Sequence, residues 1–341
     1  MKVVYHNDQK LHYPERFLVN GCFQPNPEMP QRLDQLLKGA LAAGCTPESP
    51  SSHGMEAIEA IHSPAYLRFL ENAYERWKKI EGAADAVTPN VHPDSRQAGY
   101  PASVVAQAGY HMADAAAPIV NGSWDSICWS AWTVVHAANL VLAGEASAYA
   151  LCRPPGHHAF TDIAGGFCYL NNSAIGAQHL RRAFDRVAIL DVDLHHGNGT
   201  QSIFYSRSDV LTVSIHADPL RFYPFFWGYA NEQGKGEGEG CNLNLPLARG
   251  SGDQEFQRAL AQGLDKIQAF SPGALVIALG LDAFEGDPFG GLRISTRGFQ
   301  EMAEMIAGRL KLPTLLVQEG GYLCEELGEN LSQFLLGYQN G

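Results

Sequence analysis

Val187-Ala188-Ile189-Leu190 runs straight into Asp191-Val192-Asp193-Leu194-His195-His196-Gly197-Asn198-Gly199, and this join decides the fold. The first four residues are apolar and partly β-branched, the composition of a strand buried on both faces. The polar residues begin where that strand ends, the usual place for chemistry in an open α/β sheet. Asp193 and His195 are two apart, so on extended backbone both side chains leave from one face. A carboxylate oxygen and an imidazole nitrogen held side by side make two-thirds of an open catalytic zinc site.

The same pattern recurs outward from this join. Apolar strands are expected at 1–5, 148–152, 187–191, 210–216, 274–280 and 313–318, with helices at 30–43, 64–79, about 171–183, 253–270 and 297–310. Ser251 with Gln254 reads as the capping box of the helix at 253. Residues 102–147 are alanine-rich and helical, broken near Pro118 to Gly122. Strands separated by helices imply a three-layer α/β/α fold around a central, mostly parallel sheet. No repeat or disordered linker divides the chain, so 1–341 reads as a single catalytic domain. The stretch from about 80 to 101 loses periodicity and collects Gly, Pro, Asn, Asp and His, the mark of an inserted functional loop. Gly234 to Gly240 carries two glutamates and reads as a flexible loop rather than a phosphate cradle.

Composition narrows the function. The net charge of −12 argues against a nucleic-acid surface and suits a cationic substrate. The seven cysteines are scattered with no CxxC pair, which fits reduced thiols in a cytoplasmic protein. There is no apolar signal core and no run of about 18 apolar residues, so no membrane association is expected.

Four strands end in polar chemistry: at Arg153-Pro154-Pro155-Gly156-His157-His158, at Asp191 to Gly199, at Leu281-Asp282 through Asp287-Pro288, and at Glu319-Gly320-Gly321-Tyr322. C-terminal ends of parallel strands converge on one crevice. Asp282 is placed to supply the third metal ligand. An open Asp2His set suits Zn²⁺ first, with Fe²⁺ or Mn²⁺ the other ions it accepts. His157 and His158, fixed by a stiff Pro-Pro-Gly turn, can divide base and acid work near neutral pH. Tyr322, on a Gly-Gly hinge, can present its hydroxyl to an oxyanion.

The motifs RPPGHH (153–158), DVDLHHGNGT (191–200), LGLDAFEGDP (279–288) and EGGY (319–322), in this order, resemble the arginase–deacetylase superfamily. Within it they are similar to zinc-dependent histone deacetylases and the bacterial acetylpolyamine amidohydrolases. The insert after Trp77, Glu319 and the 228–240 loop look most like the acetylpolyamine branch.

The resemblance implies deacetylation, with Asp193, His195 and Asp282 on Zn²⁺, His158 as general base, and His157 as electrostatic partner or general acid. It further implies that Asp191 orients His157, that Asn198 orients His158, and that Tyr322 binds the tetrahedral oxyanion. Phe167 and Tyr223 would flank a tunnel, with Gly165 and Gly166 letting the backbone approach. A structural K⁺ would sit among Asp191, Asp193, His195, Ser214 and Ile215. The implied substrate is a small cationic acylated amine, with protein acyl-lysine as the alternative, and the implied assembly is a homodimer formed through the insert. Val105 and Ala116 stand where some polyamine deacetylases carry acids, and residues 99–124 hold only Asp114. A binuclear ureohydrolase would need acids at Gly197 and Phe284, and a non-catalytic member would lack one of the site residues.

Overall fold

The computed structural model describes residues 1–19, 21–95 and 99–341. Its strands are β1 (Lys2–Val4), β2 (Arg16–Val19), β3 (Cys22–Pro25), β4 (Thr46–Glu48), β5 (Ser147–Ala150), β6 (Val187–Asp191), β7 (Val210–Ala217), β8 (Asn242–Leu247), β9 (Ala274–Leu279) and β10 (Thr314–Gln318). Eight form one sheet in the order β4-β1-β5-β10-β9-β6-β7-β8. Every pairing in it is parallel.

Alternation within the strands explains the layers. Val187 and Ile189 of β6 face one apolar cluster, whereas Ala188 and Leu190 face the other. A parallel strand buried on both sides needs apolar residues at both parities. The first face is covered by α3 (Pro64–Trp77), α4 (Val104–His111), α5 (Ser123–Leu142) and α6 (Asn172–Leu180). The second is covered by α1 (Gln31–Ala42), α8 (Asp253–Phe270), α9 (Thr296–Arg309) and α10 (Leu327–Asn340). Short helices α2 (Glu56–Glu59) and α7 (Asn198–Phe204) complete the set.

Both edges carry a proline, Pro47 in β4 and Pro246 in β8, where a missing N–H costs no central ladder bond. The helix at 253 begins one residue later than the Ser251–Gln254 box implies. Its N-cap is Gly252, whose N–H donates to Glu255 Oε2 at 3.2 Å.

Buried His62 braces the 159–171 loop that carries Phe167. Its Nδ1–H donates to the Thr161 carbonyl (3.2 Å) and its Nε2 accepts from the Asn171 N–H (2.9 Å). Both nitrogens are occupied by a neutral ring, and burial lowers its pKa to about 4. The folded value lies below the unfolded value of about 6.5, so this contribution is complete above pH 6.5 and is lost as pH falls towards 4. Exchanging His62 for Gln removes that titration. The gap in unfolding free energy between parent and variant then narrows by about 1.3 kcal/mol from pH 7.5 to 5.5. Urea titrations at the two pH values check this; a gap independent of pH contradicts it.

Candidate active site

The four strands that end in polar motifs, β5, β10, β9 and β6, are consecutive neighbours at the centre of the sheet. Their C-terminal ends therefore open onto one place.

Asp193, His195 and Asp282 offer one ligand atom each, all within 4.8 Å of one another, and all three residues are buried. His195 Nδ1 lies 3.1 Å from Asp282 Oδ2 and 3.3 Å from Asp193 Oδ1. Backbone donors hold the carboxylates: Gly320 N–H donates to Asp193 Oδ2 (2.8 Å) and Leu194 N–H to Asp282 Oδ1 (3.0 Å). Gly320 is required by packing, since a Cβ there would sit 2.3 Å from Asp282 Oδ2 and 2.6 Å from Asp193 Oδ2.

Among the described residues, no lysine or arginine pairs with Asp193 or Asp282; only histidines do. Burial, and then Asp193, push the Asp282 carboxyl up. Burial also acts against Asp193, but His157 and His195 outweigh it and hold that carboxyl low. His195, despite burial, is lifted to about 9 by the two carboxylates. Two buried acids facing one imidazole, with no lysine or arginine between them among the described residues, fit a divalent cation.

The two adjacent histidines pack with tilted rings, centroids 4.1 Å apart, but sit in opposite environments. His157 Nδ1–H donates to Asp191 Oδ2 (2.9 Å), and its Nε2 lies 3.7 Å from Asp193 Oδ1. Burial disfavours its charge, yet Asp193 and Asp191 prevail and raise its pKa well above the ordinary value. His158 Nδ1–H donates to the neutral Asn198 Oδ1 (2.7 Å). Burial and the charges of His157 and His195 lower its pKa well below the ordinary value.

Tyr322 is 3% exposed and packs on Phe289 and Phe167, with centroids at 4.7 and 5.8 Å. Its N–H donates to Asp287 Oδ2 (2.9 Å), and no group among the described residues hydrogen-bonds its hydroxyl. Burial and Asp282 hold its phenol well above the ordinary value, so it keeps its proton.

Gly166 and Phe167 both have positive φ, 52° and 67°. A Cβ on Gly166 would lie 2.6 Å from His158 Cδ2 and 2.8 Å from the Tyr223 hydroxyl. Gly166 and Tyr223 thus meet beside His158, and Gly165 lies next to them. Tyr223 donates its hydroxyl to Asp114 Oδ2 (2.7 Å), which also accepts the Gly166 N–H at 3.2 Å. Ser214 of β7 is in register with Asp191 of β6, and Ile215 follows it.

Every residue read from the sequence as part of the site is thereby brought to this end of the sheet. Several others were not read. Phe222 stacks on His195 at 5.2 Å, and Phe289 meets it edge-on at 5.5 Å. Phe17 of β2 packs on Phe167 at 5.3 Å. Buried Arg32 lies 4.9 Å over the Tyr322 ring and donates from Nε to the Gly321 carbonyl. Buried Glu28 forms ion pairs with both Arg32 (2.6 Å) and Arg153 (2.9 Å).

The insert lies along α4. Trp77 Nε1–H donates to the Ala84 carbonyl, His92 Nδ1–H to the Gly109 carbonyl, and Tyr100 pairs with His111. From His111 the chain crosses to Ala164, one residue before Gly165. The loop is thus tied to the wall that carries Phe167.

Comparison with known proteins agrees with this geometry. The family described as Histone deacetylase domain matches residues 26–337. An acetylpolyamine amidohydrolase of Burkholderia pseudomallei is 44% identical, covering 99% of this chain and 98% of that one. Acetylpolyamine amidohydrolase 2 of Pseudomonas aeruginosa is 43% identical over 99% of both. A crystal structure of acetylpolyamine aminohydrolase from Burkholderia pseudomallei superposes with a TM-score of 0.96 at 43% identity, covering 99% and 98% of the two chains. Motif order, sheet topology and full-length similarity agree: the chain belongs to the histone deacetylase family of amide hydrolases.

Proposed function

We propose that this enzyme deacetylates small cationic N-acetylated amines of the acetylpolyamine type, using Zn²⁺ held by Asp193, His195 and Asp282. The observation that carries the reading is the split between His157 and His158. Adjacent titratable groups pushed in opposite directions identify an acid and a base. His158, with Nδ1–H committed to Asn198 and its charge disfavoured, uses Nε2 as general base for water. His157, kept charged by Asp191, supplies positive charge and a proton for the departing amine. Tyr322 donates its hydroxyl to the oxyanion. When bound, the ion supplies Lewis acidity to the carbonyl oxygen and to water.

Phe167, Tyr223 and Gly166 are the walls of the acyl tunnel, with Phe289 and Phe222 continuing the aromatic surface. A K⁺ beneath the site would draw on Asp191, Asp193, His195, Ser214 and Ile215. Support comes from the Asp191–Ser214 register and from the Ser214 hydroxyl, which donates to His216 Nδ1 at 2.8 Å and leaves its lone pairs free.

Preference for small amines rests on the insert beside the Phe167 wall and on the names of the full-length relatives. The same insert, with Val91 and Tyr100 exposed, is the surface proposed for homodimer contact; residues 96–98 of the insert lie outside the described residues. With purified, zinc-loaded enzyme, N-acetylated diamines should be hydrolysed at least about tenfold faster, by kcat/KM, than acetyl-lysine peptides, a difference of about 1.4 kcal/mol in transition-state binding. Equal rates on both would remove the small-amine assignment and leave the deacetylase reading standing.

A further inference from the structure

Glu319 is fully buried, and every polar group it has is engaged with a different part of the site. Its Oε2 accepts the N–H of Gly156 (2.6 Å) and of His157 (3.0 Å), and its Oε1 accepts the Ser173 hydroxyl (2.6 Å). Its own N–H donates to the Leu279 carbonyl at the end of β9 (2.9 Å), and its carbonyl accepts from Arg32 (2.8 Å). One residue therefore fastens the β5 turn bearing His157 and His158 to the β10 turn bearing Tyr322. It also fastens both to the end of β9 that leads to Asp282.

Among the described residues, no lysine or arginine contacts the carboxylate. Three donors aimed at one buried acid are more than a packing role needs, because each would be left unpaired in a buried site without it. The two N–H groups belong to the residue before His157 and to His157 itself, so the carboxylate fixes the backbone from which that imidazole projects.

We infer that Glu319 is a positioning residue: its carboxylate oxygens set the His157–His158 turn against Tyr322 by accepting hydrogen bonds. The role is geometric. A glutamine can fulfil it, since the amide oxygen replaces Oε2 towards both N–H groups and the amide N–H can donate to the Ser173 hydroxyl. Alanine cannot. This assignment rests on the functional reading above only for its kinetic arm.

The test compares zinc-loaded parent, Glu319→Gln, Glu319→Ala and Ser173→Ala on an N-acetylated diamine, with kcat expressed per bound metal. A second arm is the downfield proton resonance of the His157 Nδ1–H bonded to Asp191, assigned by its loss in Asp191→Ala. Misplacing a catalytic group by about 1 Å costs about 100-fold. Glu319→Ala should therefore lose about that factor in kcat with KM within twofold, and should shift or broaden the resonance. Glu319→Gln should stay within about fivefold of the parent and keep the resonance. If Glu319→Ala does not fold, Ser173→Ala decides: a several-fold fall in kcat supports the inference, and unchanged kcat and resonance overturn it. Glu319→Ala within threefold of the parent overturns it too. So does equal damage from Gln and Ala, since charge rather than acceptor geometry would then matter. If the parent hydrolyses no acetylated amine, the functional reading fails, while the resonance still decides the positioning.

Discussion

Exchanging Tyr322 for Phe leaves the metal bound and lowers kcat by about 10²–10³-fold, the cost of removing one oxyanion donor. The hydroxyl has no hydrogen-bond partner among the described residues, and Phe retains the packing on Phe289 and Phe167. Folding stability should therefore stay within about 0.5 kcal/mol of the parent. The diagnostic result is a large fall in kcat with metal content, KM and melting temperature unchanged. Near-parental turnover would remove Tyr322 from the reaction, and loss of metal or of fold would show that its role is structural.

Asp282→Asn should have the larger effect. Even groups that merely orient a metal ligand cost 10–100-fold in affinity when removed, so loss of a ligating carboxylate should cost more than about 100-fold. Activity at micromolar metal should disappear. The metal-free protein should behave in the opposite way. Burial, and then Asp193, push the Asp282 carboxyl up, and His195 and the Leu194 N–H offset them only in part, so its charge is disfavoured in the metal-free fold. The neutral amide relieves that repulsion, and apo Asp282→Asn should melt at the same temperature as apo parent or higher. Metal titration together with calorimetry of the two apo proteins checks both halves. A variant that binds metal like the parent, or whose apo form is markedly less stable, would contradict this account.

The legibility of the chain follows the range of its interactions. Val187 to Asp191, Ala274 to Leu279 and Thr314 to Gln318 are central strands, buried at both parities, so short apolar runs reveal them. The side chains proposed for catalysis lie within a few residues of those strand ends, and a contiguous motif can be read directly. The edge strands are different. Thr46–Glu48 and Asn242–Leu247 are only partly apolar, because an edge has one neighbour and a less buried surface. The β2–β3 hairpin did carry a local signal, the Asn-Gly pair at 20–21 between the two strands, a short-range mark of a hairpin. Asn20 itself lies outside the described residues.

Arg32, Glu28 and Phe17 reach the site from the first tenth of the chain, across more than a hundred residues to Arg153, Phe167 and Tyr322. Nothing in their neighbours' sequence announces such a contact. Asp114 is intermediate: it stood out as the single acid between 99 and 124, yet its bond to Tyr223 exists only in three dimensions. The insert is a similar case. Its composition marked it as a loop, and its path along α4 depends on Gly109, where a Cβ would lie 1.6 Å from the Val91 carbonyl oxygen.

Anomalous diffraction from crystals of the zinc-loaded protein, recorded above and below the zinc edge, addresses the central claim most directly. The account predicts one peak per chain, about 2.0–2.2 Å from an oxygen of Asp193, an oxygen of Asp282 and Nδ1 of His195. A zinc-replete crystal with no peak between those three side chains, or with its peak bound elsewhere, would contradict it.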